Sequence, residues 1–208
     1  AWATGTYYPG QIVIDNGIEY MCVRQTTKRP TPWAMNQVAS YGTTLPTNPI
    51  DGQEATLVDN VTNPAFQWRF RFNANSTSAY KWEYVGGASY VYPITTIASW
   101  TQLNTWTVLI GWTVPRAGEY NVRPSLNVAI ASSAAAHVYV GVGINNAVAS
   151  GMGTQYVNAG TWGLVAGAEY TATLGAAGTY VQVMGLTNVA AQASATVCGM
   201  TVTPKRVA

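Results

Sequence analysis

The sequence predicts an all-β chain, with small β-hairpin modules at the N-terminus followed by a larger β-sandwich. Three observations point there. Short runs rich in β-branched and aromatic residues alternate with polar ones and are broken by clusters of Gly, Asn, Asp and Pro, which is the period-2 pattern of half-buried strands. Only 9% of the 208 residues are charged, beside 20 Gly, 8 Trp and 13 Tyr. An ordinary soluble domain carries about 25% charge, so this surface is built from Thr, Ser, Asn, Gln and Ala. Disordered chains combine low hydrophobicity with high charge, the reverse of a chain that is 48% hydrophobic.

Residues 1–34 form the first module. Gln11-Ile-Val-Ile14 and Ile18-Glu-Tyr-Met-Cys-Val23 flank Asp15-Asn16-Gly17. An Asn-Gly pair supplies the positive φ angles of a two-residue hairpin turn. So short a segment buries little core, and its aromatics, Trp2, Tyr7, Tyr20 and Trp33, either staple the unit or pack on a neighbour. The order Trp2, Tyr7 or Tyr8, Gly10, Val13, Gly17, Tyr20, Cys22, Pro32, Trp33 resembles the small chitin- and cellulose-binding modules of bacterial glycoside hydrolases. That resemblance implies a compact β unit presenting Trp2, Tyr7, Tyr8 and Trp33 to a polysaccharide. The other reading makes the same rings an internal staple or docking surface. After the second strand, where such modules place further aromatics, this chain carries Arg24-Gln-Thr-Thr-Lys-Arg29.

Residues 45–87 form the second module. Turn clusters at Pro46-Thr-Asn-Pro49 and Asp51-Gly52 lead into Glu54-Ala-Thr-Leu-Val58, and Asp59-Asn60 turns the chain again. In Phe66-Gln-Trp-Arg-Phe-Arg-Phe72, alternation places Phe66, Trp68, Phe70 and Phe72 on one face and Gln67, Arg69 and Arg71 on the other. A polar loop, Asn73 to Ser78, joins it to Tyr80-Lys-Trp-Glu-Tyr-Val85, where Tyr80, Trp82 and Tyr84 share a face. Two such strands predict an antiparallel hairpin in which Arg69 or Arg71 pairs with Glu83. Separation of Arg from Phe onto opposite faces favours a core hairpin over base stacking on RNA. The phrase running from Leu45-Pro-Thr-Asn-Pro through Gln67-Trp-Arg-Phe-Arg-Phe-Asn73 to Trp82-Glu-Tyr-Val-Gly-Gly87 resembles a segment of minor structural proteins of tailed bacteriophages. The resemblance implies a place in a tail or head-surface protein with no chemistry attached.

Residues 93–208 form the third module. Between Pro93 and Pro204 only Arg116, Glu119, Arg123 and Glu169 are charged. Period-2 runs recur at Trp106–Ile110, Tyr120–Arg123, Leu126–Ile130, His137–Ile144, Tyr170–Leu174, Thr179–Met184 and Ala195–Thr203, which predicts a β-sandwich. Trp112-Thr-Val-Pro115 with Gly118-Glu-Tyr120, and the late runs Gly167–Leu174 and Gly199–Thr203, resemble the trimeric jelly rolls of the complement-globular-head and tumour-necrosis-factor type. The resemblance implies a jelly-roll-like sandwich that trimerises, and a self-complementary, charge-poor face suits closed cyclic symmetry.

Enzyme chemistry is not expected. A Ser-His-Asp hydrolase needs its histidine, and the one histidine, His137, opens a strand pattern. A glycosidase needs two acids in one cleft, whereas Asp15, Glu19, Asp51, Glu54, Asp59 and Glu83 all lie in or beside small hairpins. Gly141-Val-Gly-Ile-Asn-Asn146 imitates half a nucleotide fingerprint, but no helix follows to receive a phosphate. Cys22 and Cys198 show no metal-ligand spacing and read as small buried hydrophobes, a disulfide between them being the other reading. No cofactor or metal is therefore expected. A net charge of +2 gives no electrostatic footprint for nucleic acid, and no run of about 18 apolar residues predicts membrane insertion. No signal peptide is expected at the start, and Ala1 in place of Met reads as a processed, trimmed or internal beginning.

These expectations converge on a non-enzymatic bacteriophage virion protein at the particle surface, of tail-fibre, minor-tail or capsid-decoration type. Its expected partners are two further copies of itself, other capsid or tail proteins, and host cell-surface polysaccharide. The alternative is a secreted bacterial carbohydrate-binding protein.

Overall fold

A computed structural model describes residues 3–15, 18–22, 25–27, 35–37, 39–93, 95–100, 104–130, 135–188 and 193–208. Every helix or strand among them is a strand, so the chain is all-β as its alternation predicts. It divides into two compact units, Ala1–Ala88 and Ser89–Ala208.

In the first unit, β1 (Ile12–Asp15), β2 (Ile18–Cys22) and β3 (Met35–Gln37) make a three-stranded antiparallel sheet. Val13 lies opposite Tyr20, and Val13 and Cys22 form a small buried cluster against which Tyr7 and Tyr20 pack. The two turn residues predicted between β1 and β2, Asn16 and Gly17, lie outside the described residues.

The rest of this unit contains β4 (Ser40–Gly42), β5 (Glu54–Val58), β6 (Gln67–Phe72) and β7 (Trp82–Ala88). β4 runs parallel to β5, and β5, β6 and β7 are successively antiparallel. The alternation in β6 is realised as read: Trp68 and Phe70 are fully buried, while Gln67, Arg69 and Arg71 are exposed. Phe66 stacks on Trp68 at 4.0 Å, and Trp68 meets Phe70 edge-on at 6.4 Å. Each such ring removed from water contributes about 1.5–3 kcal/mol, and the edge-on pair adds a further ~0.5–1.5 kcal/mol. β7 begins at Trp82, two residues after the predicted start, because the intervening loop has its own bonding. Tyr80 N donates to Ser78 Oγ at 3.1 Å, and Asn73 N donates to the Lys81 carbonyl at 2.9 Å.

The second unit contains β8 (Tyr90–Val91), β9 (Thr95–Trp100), β10 (Thr107–Thr113), β11 (Gly118–Ile130), β12 (Ala136–Ile144), β13 (Ala147–Val157), β14 (Trp162–Ala166), β15 (Tyr170–Leu174), β16 (Tyr180–Thr187) and β17 (Ala193–Val207). One sheet has the order β10-β16-β12-β13, every pair antiparallel. In the other layer β11 pairs with β17 on one side and with β14 and β15 on the other, and β8 and β9 also pair with β17. Val122, Leu126, Val128 and Ile130 of β11 and Cys198, Met200 and Val202 of β17 are buried, as are Val138, Val140 and Val142 of β12 and Val181 and Val183 of β16. This is the core of a β-sandwich. Trp112 of β10 stacks on Tyr90 of β8 at 4.3 Å and 17°, so one aromatic pair joins the two layers.

Two details differ from the pattern in the sequence. Tyr120–Arg123 and Leu126–Ile130 are one strand, β11, continuous through Pro124. Pro124 sits where the partner of β11 changes from β15, last paired at Val122, to β14, first paired at Ser125, so its missing N–H falls in a gap between partners. In addition β8, β9, β13 and β14 are strands without a predicted counterpart.

Candidate functional site

Of the four aromatics singled out for sugar binding, Trp2 and Trp33 lie outside the described residues. Tyr7 is half-buried and committed. Its hydroxyl donates to the Ala3 carbonyl at 2.7 Å and accepts from Ala3 N at 3.0 Å, and its backbone makes a two-bond bridge with Thr26. It staples the N-terminal segment. Tyr8 is 54% exposed and opens a turn closed by Gln11 N donating to the Tyr8 carbonyl at 3.1 Å, with Tyr8 N donating to Gln11 Oε1 at 2.8 Å. Its ring is therefore presented to solvent by a fixed backbone. Ile12, Ile14 and Met21 are also exposed, with Ile12 directly opposite Met21 and Ile14 opposite Glu19, so the outward face of this hairpin carries three apolar side chains and one acid.

Four of the acids named above serve local tasks. Asp59 Oδ1 accepts from Ala65 N at 2.8 Å, Asp51 Oδ1 from Ala74 N at 2.9 Å, and Glu83 Oε1 from Asn73 Nδ2 at 3.1 Å. Glu54 pairs with Arg69 at 3.5 Å across the β5–β6 ladder, both side chains well exposed, an arrangement worth about 0–1 kcal/mol. Arg69, one of the two arginines expected to pair with Glu83, thus pairs with Glu54. Among the described residues no group of three or more His, Cys, Asp or Glu is placed to hold a metal ion. His137 is exposed on β12, its ring 5.0 Å from Tyr156 and 6.4 Å from Tyr139. The Gly141–Asn146 phrase is the end of β12 plus a hairpin turn, in which Asn145 and Asn146 take φ of 49° and 69°. Both cysteines are free and buried. Burial pushes the Cys198 thiol up from 9.0 to about 12.

The largest feature is the pair of outer faces of the sandwich. On the β11 layer, Trp162, Leu164 and Ala166 of β14 point outward beside Ala129, Asn127 and Ser125 of β11. Trp162 is 54% and Leu164 67% exposed, and none of these six residues is charged. Arg123 borders the patch, and most of the remaining charge lies at the far end of β11. There Arg206 pairs with Glu119 at 3.2 Å and Arg116 donates to the Ala208 carbonyl at 2.8 Å. On the other sheet, Tyr180 and Met184 of β16 lie down over Gly111 and Gly143, where a β-carbon on either glycine would strike the ring or the thioether. That packing buries β16 on both sides and leaves a low, uncharged outer surface. The β14 patch was not read in the sequence. Its one signal is the apolar run Trp162-Gly-Leu-Val-Ala166 after Gly160-Thr161, which is too short to reveal which face is open.

No family model and no curated protein sequence matches the chain. Among solved structures, the CBM22-1–GH10 modules of Clostridium thermocellum endo-1,4-β-D-xylanase 10B, complexed with xylohexaose, align with 71% of this chain at 12% identity and a TM-score of 0.30. This chain spans 24% of that one. The structure of infectious bursal disease virus, Gx strain, aligns over 98% of this chain and 68% of that chain at 10% identity and a TM-score of 0.38. Both TM-scores lie below 0.5, and the fold stands on the strand pairings themselves.

Proposed function

We propose that this protein is a non-enzymatic structural component of a bacteriophage virion. It stands at the particle surface as a homotrimer and touches host-surface polysaccharide. The observation that carries this reading is the uncharged outer patch around Trp162 and Leu164. Interface cores are depleted of charge and enriched in aromatics, and in a closed ring of three each copy presents this patch to another face of the next copy. The occupant of the patch is therefore a second copy of this chain. The phage-like phrase of residues 45–87 supports a virion setting, with capsid or tail proteins as the other partners. Among the described residues of the aromatic set singled out for sugar binding, Tyr8, on its rigid turn, is open for stacking on a sugar. Three such weak sites on one trimer bind a polymeric surface far more tightly than one.

Light scattering over a range of concentrations tests the assembly. The expected result is three times the 22.2 kDa chain mass, persisting on dilution. A stable monomer overturns the virion-trimer reading and favours a secreted carbohydrate-binding protein.

A further inference from the structure

In the first unit the end of the β6–β7 hairpin encloses a cavity of about 230 Å³ lined by Asp51, Gly52, Arg71, Phe72, Asn73 and Glu83. We propose that this cavity binds one neutral sugar ring through paired hydroxyls, a second carbohydrate site distinct from Tyr8. It rests on the reading above that polysaccharide is the ligand.

The walls are fixed by backbone bonds. Gly52, at φ +80°, completes the Ile50–Gln53 turn, in which Gln53 N donates to the Ile50 carbonyl at 3.0 Å. Gly52 N donates to the Phe72 carbonyl and Phe72 N to the Gln53 carbonyl, both at 2.8 Å, stitching the turn to the end of β6. Gln53 is buried and its Oε1 accepts from Ile50 N at 3.1 Å. Asp51 Oδ1 is held by Ala74 N and Glu83 Oε1 by Asn73 Nδ2. The polar groups are therefore oriented before any ligand arrives, which lowers the entropy lost on binding.

Arg71 is the informative residue. The ladder places it opposite Glu54 on one side and Glu83 on the other, yet among the described residues it makes no hydrogen bond or ion pair. Its guanidinium instead lies over Gly52, where a β-carbon would be 3.7 Å from Nη2. A fork of N–H donors thus faces the cavity unspent, beside two carboxylates that only accept. Vicinal hydroxyls both donate and accept and match that pairing, while half-buried Phe72 offers an apolar wall to the C–H face of a ring. Two carboxylates against one guanidinium disfavour an anion, and the guanidinium disfavours a cation. The volume is below the roughly 300–1,000 Å³ of sites for drug-sized ligands, so the occupant is a single ring of a longer chain.

Saturation-transfer NMR on the full chain, with methyl glycosides of glucose, galactose, mannose, rhamnose and N-acetylglucosamine and with glucuronate as the anionic probe, tests this. At least one neutral glycoside is expected to bind. Arg71→Ala weakens it at least tenfold while Tyr8→Ala leaves it unchanged. Arg71→Lys, which keeps the charge and the stem but loses the fork, also weakens it tenfold and guards against a folding defect in the alanine variant. No neutral glycoside bound, glucuronate alone bound, or affinity indifferent to both Arg71 variants overturns the site. Monosaccharide binding does not need avidity, so these results are independent of solution mass: a monomer that binds sugar sinks only the trimer, and a trimer that binds none sinks only the pocket.

Discussion

Cys198 shows how a single side chain ties burial to pH. It faces the sandwich core from β17, opposite Leu126, and is fully buried. Burial disfavours the thiolate and pushes its pKa up to about 12 from 9.0. The folded pKa lies above the unfolded one, so the stability linked to this group is fully present below pH 9 and is lost as pH rises towards 12. Two outcomes are expected. Iodoacetamide at pH 8, followed by peptide mass mapping, leaves Cys198 unlabelled in native protein and labels it in urea. Cys198→Ala, at a cost of about 1 kcal/mol at neutral pH, flattens the fall in urea midpoint above pH 9. Labelling of native protein at the unfolded rate would mean that β17 opens locally. The sequence shows Cys198 within an apolar run and so predicts its burial. Tyr7 is the contrasting case. Its place in the aromatic series allows either a platform or a staple, and its bonds to Ala3 and Thr26 are contacts that the series does not reveal.

At the scale of strands, legibility follows the strength of alternation. β6 and β12 alternate large apolar and polar residues, and their buried faces are those the sequence implies. β16 also alternates, Val181 and Val183 against Gln182 and Met184, yet all four are buried. The reason lies on neighbouring strands, where glycines allow its outward side chains to lie flat, and no window along one strand contains that information. Gln182 depends on a turn. Asn146 N donates to its Oε1 at 2.6 Å, and its Nε2 donates to Asn146 Oδ1 at 2.8 Å. Asn146→Ala leaves the buried amide without its acceptor, a loss of about 1–3 kcal/mol, and at φ 69° replaces Asn, whose short polar side chain tolerates the left-handed region, by a residue that does not, adding roughly 1 kcal/mol. Asn146→Gly keeps the turn and loses only the side-chain bond. In urea unfolding both variants are destabilised, alanine more than glycine by about 1 kcal/mol. Equal losses would show that the turn conformation contributes nothing.

At the scale of the molecule, the segregation of charge was visible in the sequence and its geometry was not. Ser89–Ala208 carries only Arg116, Glu119, Arg123, Glu169, Lys205 and Arg206. Folding gathers four of these at the paired ends of β11 and β17, leaving the β14 side of the sandwich bare. A sequence reading predicts a charge-poor sandwich but places no patch, because period 2 separates faces without saying which is covered. If a second copy sits on that patch, one charge there opposes assembly without harming the fold. Leu164 is 67% exposed, so Leu164→Glu leaves the thermal transition of the isolated chain within about 0.5 kcal/mol of the parent. In the trimer it buries an unpaired carboxylate at each contact, a penalty of about 3 kcal/mol, or roughly a hundredfold in affinity. Light scattering at micromolar concentration is then expected to give the monomer mass for Leu164→Glu. Thr154→Glu, on β13 of the other sheet, keeps the parental mass. If Leu164→Glu remains three times the chain mass, copies meet through another face; if Thr154→Glu alone dissociates, that face belongs to the sheet where β16 lies flat over its glycines.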